Sequence, residues 1–323
     1  MHASVRPQVV VSKCLGFAAC RYNGQVIPDP FVEQLRPFVD FLPVCPEVEL
    51  GLGVPRPPIR VIQRGEERRL VQPETGRDVT EAMQDFAASF LAGLPAVDGF
   101  ILKNRSPSCG IKDVKLYADM GSETPVGKGA GLFGQAVLER FGHLAVEDEG
   151  RLTNATLRDH FLTKLFTLAR FRQAKAAGTM EELVRFHTEH KLLLMAYNLS
   201  RLQAMGRVVA NPGRRPAAEA FDSYERLLWE ALARPPRRTA GINVLMHALG
   251  YFSTRLTPAE KALFLDTLER YRARHVPLST PLYILRAWVA RFQEPYLARQ
   301  VFFEPYPIAL VSPTDSGKDR DVV

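Results

Sequence analysis

The chain has 323 residues, 46% of them apolar and 24% charged, which is typical of a globular protein with room for two domains. No apolar run approaches the roughly 18 residues of a membrane span, and Lys13 interrupts an N-terminal stretch that otherwise resembles an export signal. Four cysteines without such a signal predict a reducing, cytoplasmic location.

Charge is distributed unevenly along the chain. Residues 1–150 contain 16 Lys and Arg against 19 Asp and Glu, a net −3, whereas residues 151–323 contain 26 against 16, a net +10. A basic half beside a slightly acidic one indicates that the second half meets a polyanion. Nucleic acid is the predicted partner, although a basic surface also occurs in proteins that bind none.

Three apolar, strand-like runs in the first half each lead into a cysteine. Val9–Val11 precede Cys14, Phe41–Val44 precede Cys45, and Gly99–Leu102 lead through a short loop to Cys109. Helical patterns separate these runs, which predicts an α/β, Rossmann-like domain with a mainly parallel sheet. The carboxyl ends of parallel strands share one edge and ligands bind there. We therefore expect the three thiols to meet in one crevice.

Further elements are expected around these strands. Asp29 precedes Pro30 at the start of a predicted helix that carries Leu35, Phe38 and Val39. Residues 59–63 and 69–72 predict a hairpin around Gly65, and Thr80 is expected to cap the helix that follows. Residues 132–141 predict another helix and 144–146 a last strand.

Beyond residue 151 the strand-like runs stop and helical periodicity takes over. The pattern predicts helices over residues 157–176, 180–205, 217–233, 243–252 and 261–273, the last behind a Thr257–Glu260 capping box. An all-α domain is therefore expected over 149–311, after an α/β domain over 1–148, and residues 312–323 are expected to form a flexible tail.

Thiolates are soft ligands that select zinc, copper(I) or iron–sulfur clusters. Four cysteines would close a structural site, whereas three leave one metal position open for chemistry. The competing interpretation is that the cysteines are buried structural thiols, which we favour for Cys20 because no strand precedes it. His187 and His190 have a spacing that can bind zinc, but without a further ligand we interpret them as ordinary structural histidines.

Several motifs carry a family resemblance. They are Cys14-Leu15-Gly16, Cys20-Arg21-Tyr22-Asn23-Gly24, Cys45-Pro46-Glu47, Gly51-Leu52-Gly53-Val54-Pro55-Arg56 and Ser106-Pro107-Ser108-Cys109-Gly110. With them the first half resembles the TudS thiouracil desulfidase family. The second half resembles the YbgA-like helical domain, through residues 186–196, 243–252 and 305–307. The combination is similar to the RudS branch of 4-thiouridine desulfidases.

This resemblance implies a [4Fe–4S] cluster used without net redox change. Cys14, Cys45 and Cys109 match its ligands and leave one iron open, while Glu47 and a serine of the 106–109 segment match the catalytic partners. Ser106 is assigned first and Ser108 is kept in reserve. The implied substrates are thiolated uracil derivatives, with 4-thiouridine foremost, either free or in tRNA.

These residue types suit the removal of sulfur from a thiocarbonyl carbon. A metal with an open position can hold the sulfur as a Lewis acid while water attacks the carbon. Glu47, two residues from Cys45, can act as general base, and the Ser106 hydroxyl can donate to developing charge or relay a proton. Arg21, Arg56, Lys103 and Arg105 could hold phosphate or base oxygens, or could instead pair with carboxylates.

Two alternatives remain open at this point. One keeps the chemistry and restricts the substrates to free thiouracil or thionucleosides, which leaves the helical half as an oligomerisation or partner module. The other is a nucleic-acid-binding protein with a structural metal site, most plausibly zinc. The sequence defines neither the preference for 2-thio or 4-thio substrates nor the oligomeric state.

Overall fold

The computed structural model describes residues 5–311, and the tail expected at 312–323 lies outside them. Among the described residues, one compact unit contains Arg6–Ala169 with residues 309–311, and the other contains Arg170–Ile308. The domain bounds expected from sequence, 1–148 and 149–311, stay a prediction. No helix in this part of the chain is long and apolar enough to span a membrane.

The first unit contains two sheets and the helices beside them. Its strands are β1 Gln8–Ser12, β2 Asp40–Val44, β3 Arg60–Arg64, β4 Glu67–Gln72, β5 Arg77–Asp78, β6 Gly99–Leu102, β7 Val114–Tyr117, β8 Gly127–Gly129 and β9 Ala145–Asp148. Its helices are α1 Pro30–Leu35, α2 Pro46–Glu49, α3 Thr80–Ala92, α4 Leu132–Phe141 and the first part of α5 Ala155–Ala177.

The first sheet is fully parallel and has the order β2-β1-β6-β9. Val9, Val10 and Val11 at its centre are completely buried, because both faces of a parallel sheet are covered. The second sheet has the order β5-β4-β3-β7-β8 and contains the hairpin expected around Gly65. The predicted α/β fold is confirmed, and the second sheet adds β7 and β8, which the sequence pattern did not indicate.

Two local predictions for this unit differ from the structure. The helix that Asp29 caps ends at Leu35, so Phe38 and Val39 lie in the turn that leads to β2. Thr80 is the first residue of α3 and not its cap. Its hydroxyl accepts a hydrogen bond from the Leu70 backbone N–H at 2.8 Å, so it joins the helix to the hairpin.

The second unit is helical, as predicted. After the end of α5 it contains α6 Met180–Tyr197, α7 Leu199–Ala210, α8 Ala217–Ala231, α9 Arg238–Gly250, α10 Pro258–Arg272, α11 Ser279–Phe292 and α12 Pro295–Ala298. The predicted helix 180–205 is interrupted at Asn198, whose side chain caps α7 by accepting from Arg201 N–H. The capping box of Thr257 and Glu260 is present at the start of α10.

Candidate active site

The central parallel sheet carries the cysteine-bearing loops. Cys14 lies two residues beyond β1, Cys45 directly follows β2, and the loop after β6 contains Cys109. Because these three strands are parallel neighbours, their carboxyl ends lie on the same edge of the sheet. All four cysteines of the chain are buried and none forms a disulfide.

The thiols interact with one another. The neighbouring Cys14 thiol is the main reason that the pKa of Cys20 is raised. The neighbouring Cys20 thiol, followed by burial, raises the pKa of Cys45. Burial raises the pKa of Cys109 to about 12. In the absence of a bound cation the Cys20, Cys45 and Cys109 thiols are therefore protonated, and metal binding at Cys45 and Cys109 must displace their protons.

These cysteines line one cavity of about 480 Å³ in the first unit, together with Glu47 and Ser106. In residues 5–311 no three Cys, His, Asp or Glu side chains are grouped closely enough to hold a single metal ion. Several buried thiols around one open cavity form the soft donor set that iron–sulfur clusters and zinc take. The chemistry of these donors therefore fits a thiolate-bound cluster.

Glu47 and the two serines form one hydrogen-bonded network. The Ser108 hydroxyl donates to Glu47 Oε1 at 2.6 Å, and Ser108 Oγ lies 3.0 Å from Ser106 Oγ. Ser106 Oγ also accepts from the Cys109 backbone N–H at 3.1 Å. Ser106 and Glu47 line the cavity, whereas Ser108 is fully buried and does not. Both serines therefore have a defined position, and Ser108 is the one that contacts the carboxylate.

Two glycines of the α4 segment hold the loop of Ser106–Gly110 in place. A Cβ on Gly131 would lie 2.4 Å from the Pro107 carbonyl oxygen, and one on Gly134 would lie 2.4 Å from that of Gly110. The Gly134 N–H donates to the Ser108 carbonyl at 2.9 Å. Because the contacts are with backbone, a side chain at either position would displace the loop.

Two of the four cations expected near the substrate are paired with carboxylates. Arg56 forms a buried ion pair with Glu47 at 2.7 Å, and Lys103 is paired with Glu149. Arg21 and Arg105 also line the cavity, and Arg21 lies over the ring of Tyr22. Arg56 and Lys103 therefore pair with carboxylates, which is the alternative to substrate binding that the sequence left open.

Sequence reasoning did not select several residues that line the cavity. Ser12 lines the cavity, and its hydroxyl accepts from the Lys103 backbone N–H at 2.8 Å. Its position two residues before Cys14 was the available signal. Arg60, Lys115 and Tyr117 come from the second sheet, and no pattern pointed to them because β7 was not predicted.

The histidines of α6 make structural contacts, as interpreted from sequence. His187 Nδ1 lies 3.1 Å from the Tyr224 hydroxyl, and burial lowers its pKa to about 4. His190 is buried, and its Nδ1 lies 2.8 Å from the Phe186 carbonyl oxygen. Neither belongs to a group of potential metal ligands among the described residues.

The first unit is thus an α/β domain with buried thiols, a carboxylate and serines around one cavity, an arrangement typical of an enzyme active site. Residues 9–149 match the family model described as 2-thiouracil desulfurase, and residues 191–307 match that of a protein of unknown function, DUF1722. The chain belongs to the 2-thiouracil desulfurase family and carries a YbgA-like helical domain. It is therefore an enzyme of the desulfidase kind, as the resemblance predicted.

Individual relatives cover each half. The uncharacterized protein YbgA of Escherichia coli (strain K12) is 26% identical over 151 residues, which are 46% of this chain and 89% of YbgA. The uncharacterized protein YbbK of Bacillus subtilis (strain 168) is 37% identical over 112 residues, or 32% of this chain and 72% of YbbK. The solved [4Fe-4S]-dependent thiouracil desulfidase TudS is 32% identical, covers 46% of this chain and 93% of its own, and has a TM-score of 0.35.

Proposed function

We propose that the protein is a [4Fe–4S]-dependent, non-redox desulfidase that converts thiolated uracil derivatives, foremost 4-thiouridine, to their oxygen forms with release of sulfide. One observation carries this proposal. Four buried free thiols line the same cavity as the Glu47 and Ser106 side chains, within the segment that matches the thiouracil desulfurase family.

Cys14, Cys45 and Cys109 would hold the cluster, and Cys20 would remain a neighbouring thiol. The chemistry supplied by a cluster with one open iron is Lewis-acid binding of the substrate sulfur. Four free cysteines suit the reducing cytoplasm, where we expect the enzyme to act.

The chain's own residues manage the proton and the water. Hydrolysis forms a bond from water oxygen to the thiocarbonyl carbon, breaks the carbon–sulfur bond and releases sulfide with no change of oxidation state. Glu47 accepts a proton from the attacking water as general base. Ser106 lines the cavity and donates a hydrogen bond to charge that develops on the substrate. Ser108 holds Glu47 Oε1 from the buried side.

Iron and sulfide analysis of protein purified without air tests the cofactor. We expect cluster-type visible absorption and sulfide release from 4-thiouridine, with both lost in Cys14→Ser, Cys45→Ser and Cys109→Ser. Cys20→Ser is the matched control, because it removes a thiol from the same cavity and should retain iron. A colourless protein with full activity, or a Cys109→Ser variant that keeps its iron, would contradict the ligand assignment.

We further propose that 4-thiouridine in tRNA is a substrate, bound through the basic helical half. Arg214 and Arg215 lie in the exposed connection between α7 and α8, and neither forms an ion pair with another residue of the described range 5–311. Arg237 directly precedes α9, whereas Arg238 is its first residue and donates to the Tyr271 carbonyl. Unpaired exposed arginines are the groups that contact phosphates.

A double variant, Arg214→Gln with Arg215→Gln, should raise KM for thiolated tRNA and leave turnover of the free nucleoside unchanged. Each lost phosphate contact lowers the slope of log affinity against log salt by about 0.9 on duplex nucleic acid. The matched control is Arg270→Gln with Arg272→Gln, which removes the same charge from side chains already paired with Asp266 and Glu269. Equal effects of the two double variants would mean that net charge alone, and not this connection, attracts RNA.

A further inference from the structure

The Arg56 guanidinium pairs with Glu47 and also makes further hydrogen bonds at the candidate site. Its side chain is 2% exposed and that of Glu47 is 12% exposed. Arg56 Nε donates to Glu47 Oε2 at 2.9 Å, and Nη2 lies 2.7 Å from the same oxygen. Since Ser108 donates to Oε1, both carboxylate oxygens of Glu47 are fixed by donors from different segments.

The rest of the guanidinium is bonded to the loops around the thiols. Nη1 donates to the Gly53 carbonyl at 2.9 Å, and Nη2 donates to the Cys20 carbonyl at 3.1 Å. The Cys45 thiol donates to that same Cys20 carbonyl at 3.7 Å. The Arg56 backbone N–H is in turn anchored to the Tyr22 carbonyl at 2.7 Å. One side chain thus joins the carboxylate to the backbone beside Cys20.

Arginine suits this position and lysine does not. A planar guanidinium presents five N–H donors on three nitrogens in a fixed fork, whereas an ammonium has its three donors on one nitrogen at the end of a flexible stem. Here three nitrogens reach three acceptors that lie in separate directions. A lysine at position 56 could compensate the buried charge of Glu47 but could not hold its carboxylate and both carbonyls together.

We infer that Arg56 is a positioning residue for desulfidation, which together with Ser108 fixes the Glu47 carboxylate in one orientation at the cavity. The inference rests on the proposed function. Arg56 compensates a buried negative charge, since an unpaired buried carboxylate is strongly destabilising, and it orients that charge. The motif Gly51–Arg56 is thereby connected to catalysis through Glu47, although Arg56 itself does not act on the substrate.

The test compares Arg56→Ala and Arg56→Lys in the full chain, loaded with iron and sulfide without air. We expect kcat on 4-thiouridine to fall about 10²-fold, as misplacement of a catalytic group by about 1 Å does, with KM, iron content and visible spectrum retained. Added guanidinium should restore part of the lost kcat in Arg56→Ala and none in Glu47→Ala. The matched control is Arg69→Ala, another carboxylate-paired arginine of the same unit that does not line the cavity, and its kcat should be unchanged.

Three outcomes would overturn the inference. They are an unchanged kcat in both variants, a fall in kcat that only matches a fall in iron content, and a fall in the kcat of Arg56→Ala at full iron content that added guanidinium does not reverse. Should Arg56→Ala fail to fold, Arg56→Lys decides alone, because a merely charge-compensating role predicts wild-type kcat for it. An inactive wild type would instead reject the proposed function, so the two failures are distinguishable.

Discussion

Replacing Gly134 by alanine sets helix propensity against packing at the candidate site. Gly134 lies in the first turn of α4, and alanine in a helix interior is favoured over glycine by about 1 kcal/mol. The new Cβ, however, would lie 2.4 Å from the Gly110 carbonyl oxygen and 2.8 Å from that of Cys109. Both atoms belong to backbone and cannot rotate away as a flexible side chain does.

Overpacking of this kind costs about 1–3 kcal/mol. The free energy of unfolding of Gly134→Ala should therefore be lower than that of wild type by up to about 2 kcal/mol, although helix propensity alone would raise it. The displaced loop carries Cys109, so iron retention should fall as well. Gly206→Ala in α7 is the control, because its Cβ would meet only His187 Nε2 at an ordinary 3.8 Å and should stabilise the protein.

Calorimetric unfolding and iron analysis of the two variants check this reasoning. The first unit should melt earlier in Gly134→Ala, while the second unit should melt later in Gly206→Ala. If Gly134→Ala proves as stabilising as Gly206→Ala and keeps its full iron content, then the close approach of α4 to the Cys109 loop does not constrain the site.

Two further predictions concern stability. Thr257→Ala removes the capping box of α10 and should cost about 1 kcal/mol, measured as a lower unfolding temperature of the helical unit, with Thr254→Ala, at an exposed position in the preceding turn, as the control. Burial raises the pKa of Asp148 from 3.8 to about 6. Folding therefore favours its protonated form, and this contribution, present below about pH 4, is lost as pH rises through about 6 and amounts to up to about 3 kcal/mol. Asp148→Asn mimics the protonated form. Its free energy of unfolding, measured with urea, should exceed that of wild type by a margin that grows between about pH 4.5 and about pH 7. A margin that stays constant over this range would contradict the raised pKa of Asp148.

The elements that the sequence predicted correctly are those with strong local signals. Val9–Val11 form a buried run before Cys14, and parallel pairing then brings Cys45 and Cys109 to the same edge. Strand β7 was missed because it has only four residues, and an alternation this short is too weak a strand signal. The break at Asn198 was missed because apolar periodicity continues through it, while its side chain begins a new helix.

At the site, the residue types were predictable and their contacts were not. Nothing in the spacing of Ser106 and Ser108 shows which hydroxyl reaches Glu47, because that depends on how α4 holds the loop through Gly131 and Gly134. From sequence alone, Arg56 could equally bind a ligand or pair with a carboxylate. Only the approach of α2 to the Gly51–Arg56 loop decides for Glu47.

The order of the central sheet has a consequence for how the enzyme matures. Cys14, Cys45 and Cys109 come from three separate strand ends, and the pairing that unites them joins β1 with both β2 and β6 across the sequence. Such non-local pairing forms late in folding, because the entropy cost of closing the intervening loops comes before the pairing stabilises the chain. A nascent chain that ends before Cys109 cannot bring the three thiols together, so an inorganic cofactor that requires all of them can be completed only after synthesis has passed that residue.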